Sequence, residues 1–409
     1  MPVRSLHMFE VLVIAFLIAG CSGNSGDALV PAEKLQALVN ANWTQYKQDH
    51  HISDNVIPGA GIAVYLETPS GNYYASSGMG SDVNENARFR IASNTKTFTA
   101  AAIMLLHQQR KLNINHKITS LIPDKEVPYV PDTAEWAVWK KEDIHIRQLL
   151  AHTAGVYDVD NNDTLSSPCE SQLYQGKSYP QCVLATDPEH QFTPGELVGV
   201  NAATQLHFFD PGDENYHYSD TGYSMLAEII ERVSGKSYDQ FLMQNLVNPN
   251  GLAYTSVTML GWDQTIPPPF NPGYVYEKGV MTDTTADNMS LHIGEGNIIS
   301  TPADIARWVR RLIRGEAGIN STWVELMKTP TAGALKQGHH YGLGISSMSG
   351  LGYGHTGANQ GYLSLMMHDP AADVTTIVYF NIWDNANLLT DQSRLMVKIG
   401  RDARAAVGY

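Results

Sequence analysis

Residues 89–103 read FRIASNTKTFTAAAI, the most informative stretch of this sequence. Ser93 stands just before an apolar pattern that predicts a helix over residues 95–109. Lys96 follows three positions later, and positions i and i+3 share a helix face, so its amine is expected one turn from the Ser93 hydroxyl. A serine hydroxyl needs such a neighbouring base or charge to become a nucleophile. Taken alone, Ser-x-x-Lys more often marks a serine N-cap followed by a surface lysine, so the assignment depends on the rest of the chain.

Hydrophobic patterns on both sides of this stretch predict strands near the two ends of the chain and helices between them. The predicted strands cover residues 59–65, 72–76, 362–368 and 374–381, and the predicted helices cover residues 32–48, 224–233, 303–314 and 388–405. This order predicts a sheet built from the N- and C-terminal parts. We expect a mainly helical insertion over roughly residues 125–290.

Composition and charge exclude several classes of protein. The chain has 409 residues, of which 43% are hydrophobic and 17% charged, so it is neither disordered nor collagen-like. The length allows one large domain or two to three ordinary ones. With 27 basic and 41 acidic side chains, the net charge is −14, and no basic run of five residues occurs. We therefore expect no nucleic-acid partner, because phosphate backbones are bound by clustered Lys and Arg.

The N-terminus has the pattern of an export signal. Residues 11–19 (VLVIAFLIA) are continuously apolar but too short to span a bilayer stably. The run ends in LIAGC at residues 17–21, which resembles the lipobox of bacterial lipoproteins, where the cysteine is lipidated. We interpret residues 1–20 as a signal peptide, residues 21–31 as lipidated Cys21 with a flexible tether, and residues 32–409 as the working domain. The alternative is a secreted soluble form.

This export signal predicts that the protein is located in the cell envelope. In a Gram-negative source, Ser22 after the cysteine favours the outer membrane, facing the periplasm. Outside the reducing cytoplasm, Cys169 and Cys182 are predicted to form a disulfide, which would contribute on the order of 3 kcal/mol. Two free thiols are the alternative. Metal binding is disfavoured because neither cysteine has a partner at finger-like spacing.

Six segments together carry a family resemblance. In chain order they are PGAGIAVY (58–65), FRIASNTKTFTAAAI (89–103), IRQLLAHTAGVYD (146–158), YHYSDTGYSMLAEIIERVSGKSYDQFL (216–242), GNIISTPADIARW (296–308) and GHTGANQGYLS (354–364). They resemble the serine β-lactamase and DD-peptidase superfamily, in the branch of class C β-lactamases, D-alanyl-D-alanine carboxypeptidases and related esterases. The resemblance covers roughly residues 45–385. It implies an α/β (α+β) fold in which an antiparallel sheet is flanked by helices.

The resemblance also implies roles for three catalytic residues. Ser93 matches the acylated nucleophile and Lys96 its partner. Tyr218 matches the tyrosine that takes the serine proton and later protonates the leaving group. A phenol has a pKa near 10, so a tyrosine base at pH 7 needs a depression of about three units, and the Lys96 cation is the expected cause. Tyr216 is the rival assignment, but the spacing to the following Thr-Gly-Tyr favours Tyr218.

The third motif, His355-Thr356-Gly357, matches the Lys/His-Thr-Gly strand motif, whose side chains bind the substrate carboxylate. The resemblance implies an oxyanion hole made by the backbone N–H groups of Ser93 and Ala358. One residue departs from the family pattern: Asp220 stands where an asparagine is usual. Asparagine can donate to a substrate carbonyl, but an ionised aspartate only accepts. We expect Asp220 to keep Lys96 protonated, which leaves Tyr218 as the base.

Other motifs are set aside. Residues 352–357 (GYGHTG) match the dinucleotide fingerprint by letter, but a strand pattern follows where a helix is required. Residues 158–163 (DVDNND) resemble a calcium loop but lack its central glycine and its final glutamate. The pair His339-His340 has no partner at metal spacing. We therefore predict no metal and no cofactor.

The predicted function is an exported serine hydrolase acting through an acyl-enzyme. The favoured substrate is a D-Ala-D-Ala cell-wall peptide, as in carboxypeptidases. The alternatives are an esterase of small acyl esters, a β-lactamase, and a non-catalytic protein that binds muropeptides in the envelope. Partners are thus a small-molecule or peptide substrate and the membrane through the lipid anchor. The sequence leaves the oligomeric state open.

Overall fold

The computed structural model describes residues 29–53, 58–80, 83–162, 178–385 and 388–409. Residues 1–20, Cys21, most of the tether and Cys169 lie outside these ranges. The helices are α1 (Pro31–Asp49), α2 (Thr95–Gln108), α3 (Ile146–Leu150), α4 (Tyr179–Leu184), α5 (Pro194–Thr204), α6 (Asp220–Ser234), α7 (Tyr238–Leu242), α8 (Pro302–Ile313), α9 (Ser321–Lys328), α10 (Ala332–Lys336) and α11 (Leu388–Ala406). Within the described ranges, no helix has both the length and the apolar character needed to cross a bilayer.

The strands form one large sheet and two small ones. They are β1 (Ile62–Thr68), β2 (Gly71–Ser77), β3 (Phe89–Arg90), β4 (Ser256–Val257), β5 (Tyr274–Glu277), β6 (Val280–Asp283), β7 (Ile298–Ser300), β8 (Ser346–Met348), β9 (Gly352–Asn359), β10 (Tyr362–Asp369), β11 (Val374–Phe380) and β12 (Ile382–Asp384). The large sheet has the order β2-β1-β11-β10-β9-β8 and is antiparallel throughout. N-terminal strands therefore pair with C-terminal ones, which confirms the predicted fold class.

Both faces of the large sheet are covered by helices. In β1, alternate side chains enter two different cores, because successive residues of a strand point to opposite faces. Ile62 and Val64 pack in the core that contains buried residues of α1 and α11. Ala63 and Tyr65 pack in the core that contains α2 and α8. The apolar runs of the central strands follow from burial on both sides.

Helix α2 carries the Ser–Lys stretch through the middle of the second core. Its residues from Thr95 to Leu106 are all buried, and the three consecutive alanines keep its surface small. The ring of Phe98 stacks on Trp308 of α8 at 4.0 Å between centroids. The residues that begin this helix are thereby held rigidly against the sheet.

The second motif occupies the N-terminus of α6. Ser219 caps this helix by accepting a hydrogen bond from the Gly222 N–H at 3.2 Å. The helix ends at Gly235, which adopts φ 71°, the left-handed conformation of a C-cap. Tyr218 and Asp220 therefore flank a fixed cap that faces the start of α2.

Candidate active site

Lys96 is fully buried at the centre of the site. Its Nζ lies 3.0 Å from Ser93 Oγ, 2.5 Å from Asp220 Oδ1 and 3.1 Å from both the backbone oxygen and Oε2 of Glu295. An ammonium group has three N–H donors, and here four oxygens surround them. Burial alone would lower the pKa of Lys96, but Asp220 and Glu295 outweigh it and raise that pKa well above its ordinary value. Lys96 is therefore a cation, as the presence of Asp220 predicted.

The nucleophile lies in a strained turn, Ala92–Asn94, which we call the nucleophile turn. Ala92 has φ 50°, in the left-handed region that side-chain-bearing residues rarely adopt. The Asn94 amide ties this turn to strand β10 by donating to Ser364 Oγ at 2.7 Å. This backbone conformation and the hydrogen bond between Asn94 and Ser364 together position Ser93 just before the start of α2.

Strand β9 packs directly against the nucleophile turn at Gly357. A Cβ at this position would meet the Ile91 carbonyl oxygen at 2.3 Å and the Asn94 amide nitrogen at 2.9 Å. Only glycine allows this approach, which explains the third residue of the His-Thr-Gly motif. The next residue, Ala358, lines the same cleft as Ala92. The positions expected to form the oxyanion hole are thus neighbours, and their role stays a prediction.

On one side of Lys96 lies a set of hydrogen-bonded, uncharged side chains, His152, Tyr341 and His355, which we call the neutral wall. The Tyr341 hydroxyl lies 3.0 Å from His355 Nε2 and 3.3 Å from His152 Nε2. His355 Nδ1 lies 2.5 Å from the Thr356 carbonyl oxygen, so it is assigned as the protonated nitrogen. Burial and the Lys96 cation lower the pKa of His355 to about 3 and lower that of His152 well below its usual range.

On another side lies the ionic wall, Asp160, His292 and Glu295. His292 Nδ1 pairs with Glu295 Oε1 and lies 3.7 Å from Asp160 Oδ2. Burial alone would lower the pKa of His292, but Glu295, Asp160 and Asp287 outweigh it and raise the pKa to about 10. Burial would raise the pKa of Glu295, but Lys96 and His292 lower it. His292 is therefore an imidazolium and Glu295 a carboxylate.

The ionic wall is the one set of described side chains with metal-like spacing, its ligand atoms lying within 4.8 Å of one another. One oxygen of Glu295, however, is engaged by His292, and the other lies 3.1 Å from the Lys96 ammonium. These contacts form a chain of ion pairs in which the cations are protein side chains. The expectation that no metal is needed stays a prediction.

The cleft beside Ser93 has a volume of about 820 Å³ and an acidic lining. Its lining carboxylates are Asp160, Asp220, Glu277, Asp287 and Glu295. Among the lining residues that the structure describes, His292 is the one side chain held as a cation, and none is Lys or Arg. Ala92 and Ala358 close the end next to the nucleophile. A ligand in this cleft therefore meets a negative potential.

Comparison with known proteins agrees with this geometry. The Beta-lactamase family model matches residues 36–400. The chain belongs to the Beta-lactamase family. Protein flp of Staphylococcus aureus is 28% identical over 216 residues, which is 51% of this chain but only 36% of that protein. The chain thus spans about a third of the length of such curated relatives.

Two further matches cover nearly the whole chain. Penicillin-binding protein 4 of Amycolatopsis lactamdurans is 24% identical over 377 residues, 87% of this chain and 88% of that protein. A crystal structure of a D-stereospecific amidohydrolase from Streptomyces superposes with a TM-score of 0.69 at 21% identity, covering 90% of this chain and 98% of the other. The family resemblance and the prediction of an enzyme of the serine hydrolase class are confirmed.

Within this family framework, the expected depression of the Tyr218 pKa needs correction. Burial raises the pKa of Tyr218 well above 10, and Asp220 raises it further, while Lys96 opposes both. The expected depression fails because desolvation of the fully buried phenol outweighs the Lys96 cation. His355, expected to bind a substrate carboxylate, is neutral and has both ring nitrogens within hydrogen-bonding distance of protein oxygens. Its role in substrate binding stays a prediction. Thr356, half-buried beside it, keeps its predicted place in the motif.

Other expected positions fall in or near the site. The Lys96 ammonium lies 4.8 Å from the Tyr218 ring centroid, whereas Tyr216 packs against Tyr341 and His339. This placement favours Tyr218 over Tyr216, and its catalytic role stays a prediction. Asp220 is 6% exposed and also accepts from the Asn161 amide at 2.6 Å.

Cys182 is buried in α4. Its pairing with Cys169 stays a prediction.

Sequence reasoning missed the ionic wall. Its signal was present in residues 294–300 (GEGNIIS), where a glutamate between two glycines directly precedes a buried strand. An isolated acid at the entrance to such a strand needs a buried partner, because unpaired buried charge is costly. The partner, Lys96, lies 199 residues earlier in the chain, so local patterns could not identify it.

Proposed function

We propose that the protein is an exported serine hydrolase that forms an acyl-enzyme on Ser93. The observation that carries this proposal is the 3.0 Å contact between Ser93 Oγ and the buried Lys96 ammonium. A cation at this distance stabilises negative charge that develops on the serine oxygen. The nucleophile turn supports the proposal because strained backbone is concentrated at functional sites.

Because Lys96 is protonated, we propose that Tyr218 relays the proton from Ser93 to the leaving group. Lys96 is protonated and has no lone pair, so it cannot accept the Ser93 proton. The neutral Tyr218 hydroxyl can accept that proton on oxygen while passing its own hydrogen to the leaving group. Ser93 Oγ then bonds to the carbonyl carbon, the bond to the leaving group breaks, and no phenolate needs to exist at rest. Water completes the cycle by the reverse relay and releases the acid.

The charge of the cleft favours one class of substrate. Five lining carboxylates and a neutral His355 disfavour a substrate that presents a free carboxylate. The same lining attracts an ammonium group. We therefore propose amides or esters whose acyl part carries a free amine. The structural similarity to a D-stereospecific amidohydrolase supports this choice.

The second candidate is a D-alanyl-D-alanine carboxypeptidase-like activity. It is supported by the His355-Thr356-Gly357 motif and by the relative named penicillin-binding protein 4. In this case, Thr356 and the backbone would hold the substrate carboxylate without help from His355. Three further candidate functions are a β-lactamase, an esterase of neutral esters and a non-catalytic muropeptide-binding protein.

A hydrolysis panel on the lipid-free protein separates these candidates. The panel contains D-alanine p-nitroanilide, its N-acetyl counterpart, a D-Ala-D-Ala peptide, nitrocefin and p-nitrophenyl acetate, with Ser93→Ala as control. Preference for the free amine over the N-acetyl form supports the proposal. Turnover of the D-Ala-D-Ala peptide alone supports the second candidate. If no fluorophosphonate or penicillin label depends on Ser93, the enzyme proposal fails.

We also propose that residues 1–20 direct export and that Cys21 is the lipid anchor, on the basis of the LIAGC pattern. Expression with a radiolabelled fatty acid tests this proposal. The full-length protein should be labelled and should fractionate with membranes, whereas Cys21→Ala should lose the label. Equal labelling of the two proteins would contradict the anchor.

A further inference from the structure

The proposed function leaves Glu295 and His292 without a role. Glu295 is 4% exposed and supplies two of the four oxygens around the Lys96 ammonium, one from its backbone and one from its side chain. Its other carboxylate oxygen is held by His292. A buried carboxylate fixed at both oxygens has little freedom, so it also restricts the group that it contacts.

We propose that Glu295, held by His292, is the positioning residue that fixes the Lys96 ammonium against Ser93 Oγ and balances its charge during acylation. This inference rests on the proposed function, because it concerns the same nucleophile. Glu295 lines the cleft, but the contacts of its carboxylate among the described residues are with Lys96 and His292, so it acts on Ser93 through Lys96.

The charges support a balanced array rather than a single ion pair. Lys96 and His292 contribute two positive charges, and Asp220 and Glu295 contribute two negative charges. Asp160 and Asp287 face His292 from neighbouring loops, and burial raises the pKa of Asp160 to about 7. Without the Glu295 charge, the Lys96 and His292 cations both face Asp220. The Lys96 ammonium is then drawn toward Asp220 and away from Ser93.

The same contacts predict a specific pH effect. In Glu295→Gln, His292 keeps Asp160 and Asp287 but loses its closest carboxylate, so its pKa falls from about 10 toward the ordinary value of 6.5. At low pH the variant then holds one excess positive charge, because Lys96 and His292 carry two and Asp220 balances one. As the pH rises, His292 loses its proton and the excess charge is relieved. A residue that only supports the fold has no reason to produce this step.

The experiment measures the rate of Ser93 acylation by a fluorophosphonate from pH 6 to 9. We expect Glu295→Gln to acylate about 10- to 100-fold more slowly at pH 6, the loss of one charge-assisted hydrogen bond, and to recover part of this deficit by pH 9. The double variant His292→Gln/Glu295→Gln should show a deficit that does not change with pH. Glu295→Asp keeps the charge and should retain the wild-type pH profile. Glu67→Gln, a half-buried carboxylate paired with Arg310 outside the site, is the matched control.

The outcomes are distinguishable. Equal rates for wild type and Glu295→Gln at every pH overturn the inference and leave the proposed function standing. A pH-independent deficit accompanied by a lower melting temperature assigns Glu295 a structural role only and also overturns it. Absence of Ser93-dependent labelling in the wild type overturns the proposed function and the inference together.

Discussion

The two walls around Lys96 both contain histidine, but in different protonation states: His152 and His355 of the neutral wall are uncharged, whereas His292 of the ionic wall is a cation. His355 of the neutral wall has a pKa lowered to about 3, whereas His292 of the ionic wall has one raised to about 10. Burial lowers the pKa in both cases, so burial does not explain the difference. His355 faces a phenol, a carbonyl and a cation, whereas His292 faces three carboxylates. Neighbouring charges, rather than motif membership, decide the protonation state.

The largest expected effect comes from removing the cation between the walls. Lys96→Met should reduce kcat/KM by about 10³-fold or more, since Ser93 loses its activating group. Asp220 and Glu295 would then be buried without their cation, so we expect a loss of about 3–5 kcal/mol in the free energy of unfolding. Ester hydrolysis and urea unfolding measure the two effects.

Lys117→Met is the matched control for this prediction. Lys117 pairs with Asp143 at 3.3 Å, but both side chains are about half exposed. Surface pairs of this kind contribute little, so the variant should retain wild-type activity and stability. Similar losses in both variants would contradict the central position of Lys96.

A smaller effect is expected when one carboxylate becomes an amide. Asp220→Asn restores the residue that is usual in this family but removes the 2.5 Å ion pair to Lys96. We expect kcat/KM to fall by about 10- to 100-fold, the cost of one charge-assisted hydrogen bond. Steady-state kinetics on the best substrate measures it. A gain in activity would show that Asp220 is a handicap and that Glu295 alone suffices.

A substitution in the neutral wall should reduce activity less than the substitutions at Lys96 and Asp220. Tyr341→Phe removes the hydroxyl that bridges His355 and His152, leaving two buried ring nitrogens unpaired. We expect a loss of about 1–3 kcal/mol in stability and only a several-fold loss of activity, because Tyr341 does not touch Lys96. Chemical denaturation and kinetics test this, with exposed Tyr254→Phe as control. An activity loss as large as that of Lys96→Met would show that the neutral wall controls catalysis.

The smallest expected effects are on the pH dependence of folding stability. They have opposite signs for the histidines of the two walls. The folded pKa of His292, about 10, lies above its ordinary 6.5, so its contribution to stability is complete below pH 6.5 and declines as the pH rises toward 10. The folded pKa of His355, about 3, lies below 6.5, so its contribution is complete above pH 6.5 and declines as the pH falls toward 3.

Unfolding curves of His292→Gln and His355→Gln against wild type measure these contributions. The deficit of His292→Gln should shrink on the alkaline side, and that of His355→Gln on the acidic side. Parallel curves over the whole range would show that the two histidines do not differ in charge.

Local patterns predicted much of the fold and part of the site. Helix α2 and the Ser93–Lys96 pair follow from helical periodicity and i,i+3 spacing. The pairing of β1 with β11 follows from strands at both ends of the chain. Motif resemblance placed Tyr218, Asp220 and the Gly357 contact at one site.

The charges could not be predicted in the same way, because they depend on contacts between distant segments. Glu295 lies 199 residues beyond Lys96, and it is Glu295 and Asp220 together that neutralise the cation. The Tyr218 pKa is raised rather than depressed because the side chain is fully buried, and that burial also depends on the assembled fold. No local pattern near Tyr218 or His355 reports on a carboxylate that folding brings to Lys96.

The most direct test of Ser93 as the nucleophile is the intact mass of the protein after reaction with a fluorophosphonate at pH 7.5. We expect one adduct per chain, located on Ser93, formed rapidly by the wild type, at least about 10³-fold more slowly by Lys96→Met and not at all by Ser93→Ala. An adduct on another residue, or equal rates for wild type and Lys96→Met, would contradict it.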